Sequence, residues 1–146
     1  MPAKNTVHTT LLRELADTIV HIARKLHTHT SHNSLVVSLS SLEGLLLMNI
    51  ERQPGMTPSE LSQLLALRSS NTAAALRGLA EKGMVVRQPD PQDKRVVRLY
   101  ITPIAADSIM AVHRGWTELL KQANIPDDKL EETVNVLVML DRSLGE

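Results

Sequence analysis

The sequence predicts a mainly α-helical chain with one small β-hairpin, a winged helix-turn-helix flanked by longer helices at both ends. Three observations predict it. Two short helical patterns sit back to back over residues 57–82. A Pro- and Asp-rich turn between two β-like runs follows at 84–101. On either side lie longer stretches whose apolar residues recur at steps of three and four, the period of an amphipathic helix.

Residues 1–7 read as a mobile arm. From Val7 to Thr30 the positions Leu11, Leu12, Leu15, Ile19, Ile22 and Leu26 mark the first helix, which ends in the polar run HTHTSHNS at 27–34. A second helix is capped by Ser40 or Ser41. Its residues Leu42, Leu45, Leu46, Leu47, Met48 and Ile50 make it apolar nearly all round, so it should be buried and central. Gln53-Pro54-Gly55 ends it. Thr57-Pro58-Ser59-Glu60 opens the third helix: Thr57 caps, Pro58 suits the first turn, and Glu60 completes a capping box. Leu61, Leu64 and Leu65 form its inner stripe. Ala66 to Ser69 is the turn. A fourth helix, capped by Ser69 or Ser70, runs to about Lys82 with Thr72, Leu76 and Leu79 inward, and Gly83 ends it at positive φ.

Met84-Val85-Val86 start a strand, and Val96 to Ile101 form its partner. Between them Pro89, Asp90, Pro91 and Asp93 enforce a turn. Thr102-Pro103 repeats the cap-plus-proline signal and starts a helix reaching about Ala123. Its stripe is Ala105, Ile109, Val112, Trp116, Leu119 and Leu120. A last helix after Pro126 carries Leu130, Val134, Leu137, Val138 and Leu144. The terminal stripes have little to pack on within one chain, and pairing with a symmetry mate is the economical solution.

Bulk properties narrow the function classes. The 146 residues make one domain, and there is no Cys, which excludes disulfides, thiolate ligands and Cys nucleophiles. No apolar run approaches the ~18 residues of a membrane span. The first residues lack the apolar core of a signal peptide, so the expected compartment is the cytoplasm. Formal net charge is zero, but it is unevenly spread. Residues 68–98 carry seven basic against three acidic side chains, a net of +4; residues 124–146 carry two against six, a net of −4. With one Trp, one Tyr and no Phe, the chain cannot build the aromatic platform that reads single strands. No G-x-S-x-G, Walker or dinucleotide glycine pattern occurs, so neither an enzyme nor a cofactor is expected.

The segment from Ser38 to Thr102 resembles the MarR family of bacterial transcriptional regulators. Its most specific piece is Asp90-Pro91-Gln92-Asp93-Lys94-Arg95, similar to the family's D-x-R wing signature. A V-x-L-x-x-T strand at Val97 to Thr102 follows it, and the run from Leu76 to Arg87 is similar to the helix-to-wing junction. The resemblance covers nearly the whole chain in helix order, and its sequence specificity lies at about 40–102. It implies a single domain over 1–146, with about 40–102 as the winged part and about 7–30 and 103–146 as dimerisation helices. It further implies a homodimer on double-stranded DNA, with recognition helices in the major groove and wings in the minor groove of a palindromic operator. A small organic effector that releases the DNA is a further implied partner. The chain departs from the family in Ala106, where a glycine is usual, and in a plain recognition helix, Ala73-Ala74-Ala75.

The candidate DNA-binding residues follow. Arg95, at the wing tip, suits a narrow minor groove, and Asp93 is placed to hold it. Arg68, Ser70, Asn71, Thr72, Ala74 and Arg77 lie at or near the half of the recognition helix that enters the groove. Arg77 suits guanine, Asn71 adenine and Ala74 a thymine methyl. Against this, Ser70 reads equally as a cap and Thr72 as core. Lys94, Arg87 and Arg98 are phosphate candidates, although Arg98 can instead pair with a carboxylate in the sheet. Two other readings remain: a winged protein-interaction module without DNA, or a metal sensor using His27, His29 and His32 with His8, His21 and His113. The spacing of the first three does not make the i, i+4 pair that ligates on one helix face. Trp116 and Met48 either line an effector pocket or belong to the core.

Overall fold

A computed structural model of the chain describes residues 3–30 and 32–144. Its elements are α1 (Ala3–Thr30), α2 (Ser41–Arg52), α3 (Pro58–Leu64), α4 (Ser69–Glu81), β1 (Val85–Pro89), β2 (Val97–Ile101), α5 (Pro103–Lys121) and α6 (Asp127–Leu144). This is the expected mainly helical chain with one antiparallel hairpin. The expected N-terminal arm is corrected: from Ala3 onward those residues belong to α1, and Met1 and Pro2 lie outside the described residues.

Local chemistry sets most helix starts. Ser40 caps α2 and Thr57 caps α3, each in a reciprocal capping box with the glutamate three residues on. Thr102 caps α5 through a bond from the Ala105 N–H, and its hydroxyl donates to the Gly83 carbonyl, which ties the helix start to the end of α4. At α4 the expected serine cap is not formed. Arg68 is the N-cap residue and offers no side-chain acceptor, while Ser69 and Ser70 are both exposed. Gly83 adopts φ +69 as expected, and Ala66 in the helix-helix turn adopts φ +49, a left-handed geometry that favours glycine.

The core lies where α2, α3, α4 and the hairpin meet. Leu46, Ile50, Leu61, Leu76, Leu79, Met84 and Leu99 are its fully buried large side chains. Burying each Leu contributes roughly 1.5–3 kcal/mol. The expectation that α2 is buried all round is corrected: Leu46, Leu47 and Ile50 are buried, but Leu45 is exposed. The hairpin pairs Val85 with Ile101 and Pro89 with Val97, so β1 runs two residues further into the turn than expected. A third segment joins its edge, with Gly55 N–H donating to the Leu99 carbonyl and Leu99 N–H to the Met56 carbonyl.

Outside this unit α1 packs on α5. A Cβ on Gly115 would crowd the Thr30 methyl, so glycine lets the two helices approach. No residue of α6 is buried, and Leu130, Val134, Val136, Leu137, Val138, Met139 and Leu144 are all exposed. Among the described residues no helix is long and apolar enough to cross a membrane.

Candidate nucleic-acid interface

The outer face of α4 is one stripe. Ser70, Ala74, Arg77 and Glu81 fall at steps of four and three, and all are exposed, as is Asn71 beside them. The opposite face holds Thr72, Ala75, Leu76 and Leu79 in the core. Thr72 is thereby corrected from a contact candidate to a core residue. It is 1% exposed, and its hydroxyl accepts a 2.9 Å bond from Ser62, which fixes α4 against α3. That bond, together with the burial of Ala75, Leu76 and Leu79, turns the stripe outward. At the start of the helix the first N–H groups have no side-chain cap, and Arg68 stands exposed beside them. An uncapped helix N-terminus with a cation beside it suits a phosphate oxygen.

The wing is held from inside. The Asp90 carboxylate accepts from the Gln92 N–H at 2.7 Å and the Asp93 N–H at 3.1 Å, which closes the turn. Arg98 donates to the same carboxylate and also, at 2.8 Å, to the Gly55 carbonyl. Arg98 is therefore the sheet partner rather than a free phosphate candidate. Its guanidinium holds the Asp90 carboxyl below the usual carboxylate range, helped by the two backbone N–H groups. Asp93 accepts from the Arg95 backbone N–H at 3.0 Å, so it orients the tip through the main chain and leaves the guanidinium free.

Of the seven basic residues in 68–98, Lys82 pairs with Glu43 and Arg98 with Asp90. The other five, Arg68, Arg77, Arg87, Lys94 and Arg95, form no ion pair among the described residues, and all are exposed. Free cations thus border the outer stripe of α4 and occupy the wing.

Asp90 was not among the candidates, nor was Glu43; both act by holding others. A Ser-x-x-Glu box at Ser40–Glu43 and an Asp opening a Pro-rich turn were the available signals. Among the described residues no cluster of His, Asp and Glu is placed to hold a metal. Met48 and Trp116 are each half-buried. An open cleft of about 520 Å³ lies between the ends of α2 and α3, lined by Gln53 to Met56, Glu60, Gln63 and Leu64, and it includes neither of them.

Fold and surface together define a winged helix-turn-helix protein. Residues 39–97 match the sequence model of the MarR family. That match lies on the winged segment of the chain. An uncharacterized HTH-type transcriptional regulator of Mycobacterium leprae is 28% identical over 110 residues, 75% of this chain and 74% of that protein. In structure the chain is similar to a MarR family protein from Bacillus stearothermophilus, with TM-score 0.78 and 16% identity over 97% of this chain and 98% of the other. It is also similar to FabT of Streptococcus pneumoniae, solved in complex with DNA, with TM-score 0.65 and 19% identity over 97% and 96% of the two chains.

Proposed function

We propose that two copies of this chain form a transcriptional regulator that binds double-stranded DNA at a palindromic operator and represses the genes beside it. The observation that carries the reading is the pairing of the exposed α4 stripe with a wing whose cations are free of ion pairs. In this reading Asn71, Ala74 and Arg77 meet base edges, while Arg68, Ser70 and the helix N-terminus meet phosphate. Arg95 enters the minor groove, with Lys94 and Arg87 on the backbone and Asp93 holding the tip. The exposed apolar residues of α1, α5 and α6 support the dimer, because an apolar surface of that extent marks an interface. Release of the DNA by a small organic ligand is carried by the family likeness, and the place of action is the cytoplasm.

Fluorescence anisotropy with duplexes from the protein's own promoter tests the reading. Affinity should fall steeply with salt, with a log-log slope of about −0.9 per phosphate neutralised. Arg95→Ala should weaken binding about tenfold with an unchanged circular dichroism spectrum. Unchanged affinity in that variant would remove Arg95 from the contact set. A parent protein that binds no duplex at about 50 mM salt would remove the DNA reading altogether.

A further inference from the structure

Among the described residues outside the α4 stripe and the wing, one charged group is buried. Glu43, in the first turn of α2, is 7% exposed. One of its carboxylate oxygens accepts from the Ser40 N–H at 2.7 Å and from Lys82 Nζ at 2.7 Å. The first bond belongs to the α2 capping box. The second crosses 39 residues to the C-cap of α4. The other oxygen faces Gly78, where a Cβ would overlap it. Gly78 directly follows Arg77, so the carboxylate sits against the flank of the helix, one residue on from its main base-contact candidate. A cation at the C-terminus of α4 is also favoured by the helix dipole. Just before the capping box, the Val37 N–H donates at 3.0 Å to the Ser108 hydroxyl of α5, itself 3% exposed. The start of α2 is thus bonded to α5 on one side and α4 on the other.

We propose that Glu43 is a positioning residue for the recognition helix, setting through Gly78 and Lys82 the angle at which α4 presents Arg77, Ala74 and Asn71. This rests on the DNA reading above. Such a residue governs sequence discrimination and leaves general phosphate attraction alone. Base-edge contacts depend on orientation, whereas attraction to the phosphate backbone depends chiefly on charge.

The test begins with a duplex selected by the parent protein from a random library, compared with an unselected duplex of the same length. Glu43→Gln keeps the size of the side chain and removes its charge. Lys82→Met removes the partner and leaves the Ser40 box in place. Each variant should lower the ratio of selected to unselected affinity about tenfold, a loss similar to that of one base pair. The double variant should be no worse than either single one, because both remove the same bond. An equal loss on both duplexes with a shallower salt slope for Lys82→Met would make Lys82 a phosphate ligand and overturn the proposal. Full discrimination retained in Glu43→Gln overturns it as well. If the parent selects no duplex, the DNA reading itself fails first, and that outcome is distinct from a failure confined to the variants.

Discussion

Asp90 and Arg98 decide whether the wing keeps its shape. The carboxylate is shared by two turn N–H groups and one guanidinium, and it lies below its ordinary pKa of 3.8 chiefly because Arg98 favours the charged form. A depressed carboxylate stabilises the fold fully above its unfolded value, and that contribution disappears as pH falls through the lower folded value. Asp90→Asn should therefore lower the thermal midpoint at neutral pH, and the gap from the parent should close below pH 3.8. Thermal scans by circular dichroism between about pH 7 and 3 follow it directly. A gap that does not narrow at all below pH 3.8 would mean that the charge is irrelevant. Glu43 is depressed in the same sense by Lys82, so its contribution fades below its own ordinary 4.5. At this scale the sequence was only half legible. It placed Arg95 and the exposed stripe, but it left Arg98 balanced between phosphate and carboxylate. Strand alternation does not say which acid a turn will bring within reach.

Among the elements, the starts of α2, α3 and α5 were legible because a cap is chemistry within four residues. The start of α4 was not. Two serines offered caps, yet helix phase is set by a long-range contact, the Ser62–Thr72 bond, together with the Leu67 N–H donating to the Ser62 carbonyl. Burial against α3 outweighed local propensity, and the same event turned Thr72 inward. The turn that permits it holds Ala66 at φ +49. A left-handed alanine is strained by its Cβ, and glycine is not. Ala66→Gly should raise stability by about 0.5–1 kcal/mol, read from urea midpoints at unchanged m. A lower midpoint would show that the turn tolerates its Cβ without strain and that the added freedom of the unfolded chain dominates.

At the scale of the whole molecule, the winged unit closes its core with Ala105 and Ile109 from the start of α5, while the apolar stripes of α1 and α6 stay bare. Their stripes were legible as periodicity in Leu11, Ile19, Val134 and Leu137, all of which are exposed. What periodicity cannot reveal is the surface that covers them, because it does not lie within one chain. The helix without a single buried residue, α6, carries a thermodynamic consequence. If a second copy supplies its cover, mass action makes stability depend on the protein's own abundance. The thermal midpoint should then climb as protein concentration rises from about 1 to 100 µM, with light scattering giving twice the chain mass throughout the upper range. A flat midpoint with single-chain mass would leave α6 as a bare surface helix. With the predicted rise, newly made chains are at their most fragile when scarce. Each tenfold gain in copy number adds about 1.4 kcal/mol per pair, so synthesis rate sets the lifetime of the protein as well as its quantity.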